Sequence, residues 1–185
     1  MTEQQITEKH QTCGMSPAVS LSAPSAADAD EFIAAARASA SLQHPWVSAP
    51  DSAERYLAFL SRAAREDQGS YLIRHAECGK LVGYVNINNI VRGALRSGYL
   101  GYAAFASHAG RGLMTAGLRA VVSDAFTHLG LHRLEANIQP DNLPSLRLVQ
   151  RLGFQREGFS PRYLMVDGEW RDHERWAVLA EDWSG

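Results

Sequence analysis

The sequence lacks any apolar run long enough for a signal sequence or a membrane span. It also lacks an excess of either charge, because 18 Lys and Arg stand against 20 Asp and Glu, for a net charge of −2. Such a balance does not favour a protein that holds nucleic acid through phosphate contacts. We therefore expect no membrane partner and no direct nucleic-acid partner.

Cysteine is scarce as well. The two cysteines, Cys13 and Cys78, lie far apart and have no metal-ligand spacing, which suits a reducing compartment better than a disulfide framework. His128 and His132 straddle Gly130 and do not share a helix face as a metal-binding pair would. The sequence therefore predicts a cytoplasmic protein without a metal site.

What the sequence does contain is enough apolar material for one domain. A chain of 185 residues, of which 45% are hydrophobic, has the usual size of a single domain with its own core. Residues 18–185 are predicted to form that domain, as a monomer or a homodimer. Residues 1–17 are polar and are interpreted as a flexible tail, with a targeting peptide or a partner-binding arm as alternatives.

The first half of the domain is predicted to change from helices to strands. A short strand at 19–21 precedes a helix that reaches about Ala40. A second helix follows, and Asp51 and Glu54 at its start have the spacing of a capping box. Alternating residues then predict strands near 71–75, 84–88 and 98–105, with hairpin turns at 77–80 and 92–93.

The second half begins with the clearest helical pattern. Apolar residues at i, i+3, i+4, i+7 and i+11 form one stripe, which predicts a helix from Gly112 to Gly130. These residues are Leu118, Val121, Val122, Ala125 and Leu129. A strand at 132–138, a helix capped by Asp141 or Asn142, and strands at 155–166 and 172–179 follow. The expected fold is α/β (α+β), with a central mixed and mostly antiparallel sheet of about seven strands and about four flanking helices.

A glycine-containing loop precedes the long helix. Its sequence, 109–115, is Ala-Gly-Arg-Gly-Leu-Met-Thr, and free N–H groups at a helix N-terminus form an anion site suited to phosphate. Gly110 and Gly112 let the backbone approach the anion, and Arg111 adds charge at the rim. A P-loop is excluded because Gly-Lys-Ser/Thr is absent, and a dinucleotide fingerprint because Thr115 replaces a required glycine. An ordinary turn before a helix remains the alternative.

A second motif further along the chain favours the phosphate interpretation. The loop resembles the pyrophosphate-binding loop of the Gcn5-related N-acetyltransferase (GNAT) superfamily, Gln/Arg-x-x-Gly-x-Gly/Ala, and 142–154 resembles the later Asn-helix-Gly-Phe segment of that family. Matches at 99–102, 151–154 and 167–173 resemble the ribosomal-protein-alanine N-acetyltransferase branch, the RimJ/RimL type. Dense resemblance runs from about Leu81 to Trp183.

The resemblance implies a GNAT-like fold and acetyl-CoA as the cofactor. The acetyl-CoA would be wedged between the strand ending at Ala104-Phe105 and the strand ending at Ile138, with backbone N–H groups facing the developing oxyanion. Asn142 would reach the pantetheine arm, and its alternative role is a helix cap. The implied cofactor-binding residues are Ala103, Ala104, Phe105, Gly110, Arg111, Gly112, Leu113, Met114, Thr115 and Asn142.

The chain departs from the family pattern at the positions of the proton donor and the general base. Val149 stands where many relatives carry a tyrosine thought to protonate the departing thiolate, so Ser145 becomes the candidate proton donor, with a first-turn helix serine as the alternative. Asn137 occupies the position of an ionisable base and can only orient water. Glu135, on the same strand face, is the candidate to act through water, with a surface carboxylate as the alternative.

A site without a strong general base suits an α-amine better than the side chain of a lysine. Near pH 7 roughly one-tenth of a chain-terminal amine is neutral, compared with about 0.04% of a lysine. His75 and His173 are further possible bases, and a packed or surface role is the alternative for each. The turn at 169–173 would border the acceptor groove, or else be an exposed turn with Trp170 folded back on the core.

The sequence therefore predicts an N-acetyltransferase that modifies the N-terminal α-amine, of Ala or Ser, in a ribosomal or other small protein. Two alternatives remain open. One is acetylation of a small-molecule amine such as an antibiotic or a polyamine, and the other is a non-catalytic acetyl-CoA-binding regulatory module.

Overall fold

The computed structural model describes residues 18–185, so the predicted tail at 1–17 lies outside the described residues. Within them the chain forms one seven-stranded sheet and five α-helices. The strands are β1 (Val19–Ser22), β2 (Gly69–His75), β3 (Leu81–Val91), β4 (Ser97–Ala104), β5 (Arg133–Ile138), β6 (Gln155–Val166) and β7 (Glu169–Leu179). The helices are α1 (Ala29–Ala38), α2 (Ala40–Gln43), α3 (Ala53–Ala63), α4 (Leu113–Thr127) and α5 (Leu143–Arg151).

The sheet has the order β1-β2-β3-β4-β5-β7-β6. Every neighbouring pair is antiparallel except β4 and β5, which are parallel and are connected through α4. The prediction of a mixed and mostly antiparallel sheet of about seven strands is therefore confirmed. The additional helix is the four-residue α2, which directly follows α1.

Helix ends follow local capping chemistry. The predicted start of α3 at Asp51 is wrong by one residue, because Ser52 is the N-cap and its hydroxyl accepts a hydrogen bond from the Arg55 amide at 3.2 Å. Asp51 instead forms an ion pair with Arg55 at 2.6 Å. Helix α4 ends at Thr127, before the predicted stop at Gly130, which lies just beyond the helix with a φ of 64°.

Each face of the sheet carries its own core. Helices α4 and α5 cover one face, and their apolar residues pack against β2 to β5 and β7. Helices α1 and α3 cover the other with a cluster of aromatic rings that includes Phe32, Tyr56 and Phe59. Gly117 allows α4 to lie close to the sheet, since a Cβ there would come within 2.3 Å of Ile73 Cδ1. The sheet is thus packed on both sides at β2, β3 and β4.

Two expectations about location and cysteines can be compared with the structure. Cys78, in the turn between β2 and β3, belongs to a disulfide, so the expectation of reduced cysteines is wrong. Among residues 18–185, none of the helices has the length and apolarity needed to cross a membrane. A cytoplasmic location stays a prediction.

Candidate active site

The parallel strands β4 and β5 separate towards their C-terminal ends. Their pairing begins at Ser97 opposite Arg133 and reaches Leu100 opposite Ala136, while the strands continue to Ala104 and Ile138. Beyond Leu100, therefore, β4 has a free edge inside the sheet. This opening lies where the sequence predicted the cofactor to be wedged.

The backbone of β4 determines which amides face the opening. Phe105 donates its N–H to the Val82 carbonyl at 2.8 Å, towards β3, so its amide is not available to an oxyanion. Because amides alternate direction along a strand, those of Tyr102 and Ala104 point to the opposite side, into the opening. The Ala104 carbonyl already accepts a hydrogen bond from Gln43 Nε2 at 3.0 Å. The predicted oxyanion contact thus moves from Phe105 to Tyr102 and Ala104.

A cavity of about 610 Å³ extends from this opening to the glycine loop. Seven of the ten predicted cofactor-binding residues line it: Ala103, Ala104, Gly110, Gly112, Met114, Thr115 and Asn142. The other three do not. Phe105 and Leu113 have side chains buried in the two cores. Arg111 is exposed. The pKa of His108 is lowered mainly by burial and, second, by the charge of Arg111.

The glycine loop is shaped to receive an anion. Gly110 and Gly112 have φ angles of 76° and 77°, and a Cβ on either would meet no atom within 4 Å. Gly112 is the N-cap of α4 and provides no side-chain cap, so the first-turn amides are available to a ligand. Arg147 and Arg151 of α5 also line the cavity. The loop and these two cations fit the phosphates of acetyl-CoA.

The start of α5 carries the predicted proton donor. Asn142 is the N-cap, and its Oδ1 accepts a hydrogen bond from the Ser145 amide at 3.3 Å, so its capping role is confirmed. The Ser145 hydroxyl lies 2.6 Å from the Tyr102 hydroxyl. Burial raises the pKa of Tyr102 to about 12, and its phenol therefore stays protonated at neutral pH.

Tyr102 is a residue of both cavities that sequence reasoning did not single out. Alternation placed it on the same face of β4 as Leu100 and Ala104, but 43 positions separate it from Ser145, and no local pattern links the two. The absence of a tyrosine at position 149 was the signal available in the sequence. A hydroxyl that is missing from α5 suggests that a residue of the facing strand provides one. Val149 itself is fully buried in the core.

A second cavity, of about 150 Å³, adjoins the first. Both cavities are lined by Trp46, Val47, Tyr102, Asn142 and Ser145, so they meet at the pair of hydroxyl groups. Asn137 lines the second cavity, and its Oδ1 is buried without a hydrogen-bond partner in the part of the chain that the structure describes. His173 lines it as well and is 3% exposed.

The third predicted catalytic residue is placed differently. Glu135 lies on the same face of β5 as Asn137, but its carboxylate forms an ion pair with Arg133 at 2.9 Å and lines neither cavity. The charge of Glu135 is the main cause that raises the pKa of Tyr99, and burial of Tyr99 is the second. The structure gives Glu135 a structural partner and no direct contact with the cavities.

Residues 169–173, predicted to lie in or just after a turn, form the first part of β7, and one of them lines a cavity. Glu169 pairs with Arg171 at 2.6 Å, and Trp170 is 58% exposed, so it does not fold back on the core. Asp172 Oδ1 accepts a hydrogen bond from the Arg162 amide at 2.7 Å. The side chains of Glu169 and Asp172 thus form local contacts, and His173 is the residue of this segment that lines the second cavity.

Comparison with known proteins agrees with this geometry. Residues 19–155 match the family model of the acetyltransferase (GNAT) domain. A probable N-acetyltransferase of Bacillus subtilis, YjcK, is 36% identical over 129 residues, which cover 70% of this chain and 71% of that protein. The [ribosomal protein uS5]-alanine N-acetyltransferase of Escherichia coli is 39% identical over 105 residues, covering 57% of this chain and 54% of that enzyme.

A solved structure extends the similarity to three dimensions. RimJ of Mycobacterium smegmatis in complex with CoA-disulfide superposes with a TM-score of 0.82 and 31% identity, over 90% of this chain and 84% of that one. The fold and the cleft define an acetyltransferase that uses acetyl-CoA. The chain belongs to the GNAT family, is an N-acetyltransferase, and is of the RimJ/RimL type.

Proposed function

We propose that this enzyme acetylates the N-terminal α-amine of a ribosomal or other small protein that begins with Ala or Ser. The observation that carries the proposal is the second cavity, which is small and is lined by no Asp or Glu of residues 18–185. Such a pocket suits a short first side chain. It offers no carboxylate for the several cationic groups of a polyamine. The similarity to the [ribosomal protein uS5]-alanine N-acetyltransferase of Escherichia coli supports the same substrate class.

We assign the proton that the thiolate leaving group needs to the hydroxyl pair. Acetyl-CoA supplies the activated acetyl thioester. Ser145 is the donor, and Tyr102 holds the serine hydroxyl in place from β4. The amides of Tyr102 and Ala104 face the position of the developing oxyanion, where preorganised donors stabilise charge most effectively.

Three acceptors test the proposal when each is incubated with acetyl-CoA and the products are identified by mass spectrometry. The first is a peptide with a free N-terminal Ala or Ser, the second is the same peptide with a blocked N-terminus and an internal lysine, and the third is spermidine. We expect acetylation of the first acceptor at its α-amine. Acetylation of spermidine alone would contradict the proposal and favour a small-molecule amine as the substrate.

A further inference from the structure

The imidazole of His173 is placed to act on an acceptor molecule. Its ring is almost completely buried, yet it lines the second cavity together with Asn137 and Ser145. Its Nδ1 lies 2.9 Å from the Arg171 carbonyl oxygen. Because a carbonyl oxygen can only accept a hydrogen bond, Nδ1 carries a proton, and the lone pair of the neutral ring must be on Nε2.

The surroundings of His173 favour this neutral state. Burial lowers its pKa, although the bond to the Arg171 carbonyl and the charge of Asp172 act in the opposite direction. The polar side chains that line the cavity from β4, from β5 and the residue after it, and from the start of α5 are all uncharged at neutral pH: Tyr102, Asn137, Gln139, Asn142 and Ser145.

The remaining neighbours are uncharged at neutral pH as well. Trp46, from the segment after α2, lines the same cavity. Tyr163 of β6 packs edge-on against the imidazole, with ring centroids 6.1 Å apart. No carboxylate lines the cavity. Nε2 of His173 forms no hydrogen bond with any of residues 18–185.

Asn137 adds a second and independent sign of a ligand. Its Oδ1 is buried and has no hydrogen-bond partner among residues 18–185, which is unfavourable unless a donor reaches it. An ammonium or an amine provides such donors. The cavity therefore combines a hydrogen-bond acceptor that lacks a donor with a histidine whose basic nitrogen is unused.

From this geometry we infer that His173 Nε2 is the general base that deprotonates the acceptor amine, while Asn137 Oδ1 accepts a hydrogen bond from the same amine and positions it. The acceptor enters as R–NH3⁺ and gives one proton to Nε2. Its nitrogen then bonds to the acetyl carbon as the C–S bond breaks. The nitrogen then gives its second proton to the Ser145 oxygen, which has passed its own proton to the thiolate. The products are the amide, the free thiol and one proton on His173.

The inference rests on the proposed function only in requiring an amine acceptor. Because the pKa of His173 is lowered, it is a weak base. It removes a proton from an α-ammonium, with a pKa near 8, far more readily than from a lysine near 10.4. The difference in neutral amine at pH 7 is a few hundredfold, so this base would reinforce a preference for α-amines.

The test is the pH dependence of kcat/KM for the wild-type enzyme and for His173→Gln, with whichever amine the wild type acetylates. We expect a wild-type ionisation below 6.5, the ordinary value for histidine. In H173Q that ionisation disappears, and kcat/KM at pH 7 falls about 100-fold. The deficit should shrink above pH 9, where the amine arrives neutral, and added imidazole should restore part of the rate.

Several controls separate chemistry from folding. His132→Gln replaces a partly exposed histidine that pairs with Glu181 and should leave the profile unchanged. His173→Asn keeps a donor for the Arg171 carbonyl but lacks Nε2, and should behave like H173Q. Asn137→Ala should raise KM for the acceptor without moving the ionisation. Thermal stabilisation by acetyl-CoA reports whether each variant is folded.

A measurement on the wild type needs no variant. The pKa of His173 from an NMR titration of its ring must coincide with the kinetic ionisation. A mismatch, or an H173Q profile and rate like those of the wild type, overturns the inference. If no peptide α-amine is acetylated but a small amine is, the proposed function fails while His173 can still be tested with that amine.

Discussion

At the scale of single residues, the hydroxyl groups at the centre of the site come from two different elements. Ser145 lies in the first turn of α5, and Tyr102 reaches it from the free edge region of β4. In our proposal this pair replaces the tyrosine that many relatives carry where Val149 stands. A proton donor can therefore change its position in the sequence while it keeps its position in the cleft.

Removing either hydroxyl should slow the chemical step. We expect Ser145→Ala to lower kcat by about 10- to 100-fold, and Tyr102→Phe to have a smaller effect in the same direction because the serine hydroxyl loses its partner. KM for acetyl-CoA should change little, since neither variant alters the glycine loop. Thiol release under saturating acetyl-CoA measures both values.

Tyr99→Phe is the matched control for this experiment. Tyr99 is on the same strand but on the opposite face, and it lines neither cavity. Its variant should keep the wild-type kcat. If Ser145→Ala and Tyr102→Phe both stay within twofold of the wild type, the hydroxyl pair does not donate the proton.

The residues at the site differ in how well the sequence predicts them. Asn142 and Ser145 were predictable because capping chemistry and a short motif place them at the head of α5. His173 was named only as one of two possible bases, and Tyr102 was not singled out, because the role proposed for each depends on side chains of distant strands. Hydrogen-bond partners that are separated along the chain become visible only when the sheet order is known.

At the scale of elements, helix α4 has glycines with positive φ at both ends, and this offers an internal comparison. Gly112 begins the helix with a φ of 77°, and Gly130 follows it with a φ of 64°. A Cβ on either residue would meet no atom within 4 Å. Backbone strain should therefore be similar for the two alanine variants, but only Gly112 lines the large cavity.

We expect Gly112→Ala and Gly130→Ala to lower the free energy of unfolding by about 1–2 kcal/mol each. Only Gly112→Ala should also weaken acetyl-CoA binding, by about tenfold or more, or about 1.4 kcal/mol, because its methyl group keeps phosphate away from the amides. Calorimetric titration and urea unfolding measure the two effects. Equal affinities in the two variants would show that the loop does not hold the phosphates.

The elements were largely predictable, but their arrangement was not. Hydrophobic periodicity indicated all seven strands and the four longer helices, since each has a repeating apolar pattern or a strong turn signal. The insertion of β7 between β5 and β6 depends on pairing between strands that are distant in sequence. The separation of β4 from β5, on which the cleft depends, leaves no trace in either strand's own residues.

At the scale of the whole molecule, Arg74 connects the helical layer to the sheet. It extends from β2 to Asp28 at 2.5 Å and to Glu31 of α1 at 2.8 Å. Burial opposes ionisation of Asp28, but hydrogen bonds from Ser25 and Arg74 outweigh it and hold its pKa below the ordinary value of 3.8. A carboxyl group with a lowered pKa stabilises the fold at neutral pH and loses that contribution as the pH falls through its folded pKa.

We therefore expect Asp28→Asn to lower the free energy of unfolding at pH 7 by about 1–2 kcal/mol. The difference from the wild type should stay constant down to about pH 5 and narrow below pH 3.8, where Asp28 of the wild type becomes protonated. Urea unfolding across this range measures it. Asp30→Asn, an exposed position on the same helix, should show no such convergence, and a difference for D28N that is independent of pH would contradict the assignment.

The free edge of β4 has a consequence for how the family tolerates substitution. An amide-containing ligand that lies along this edge binds to main-chain groups, which every amino acid possesses. Substitutions around the cleft, such as Val149 in place of the tyrosine that many relatives carry, can therefore accumulate without loss of the donor substrate. Selection on the acceptor can then change side chains on the neighbouring strands independently, so that new amine specificities arise on an unchanged acetyl-CoA platform.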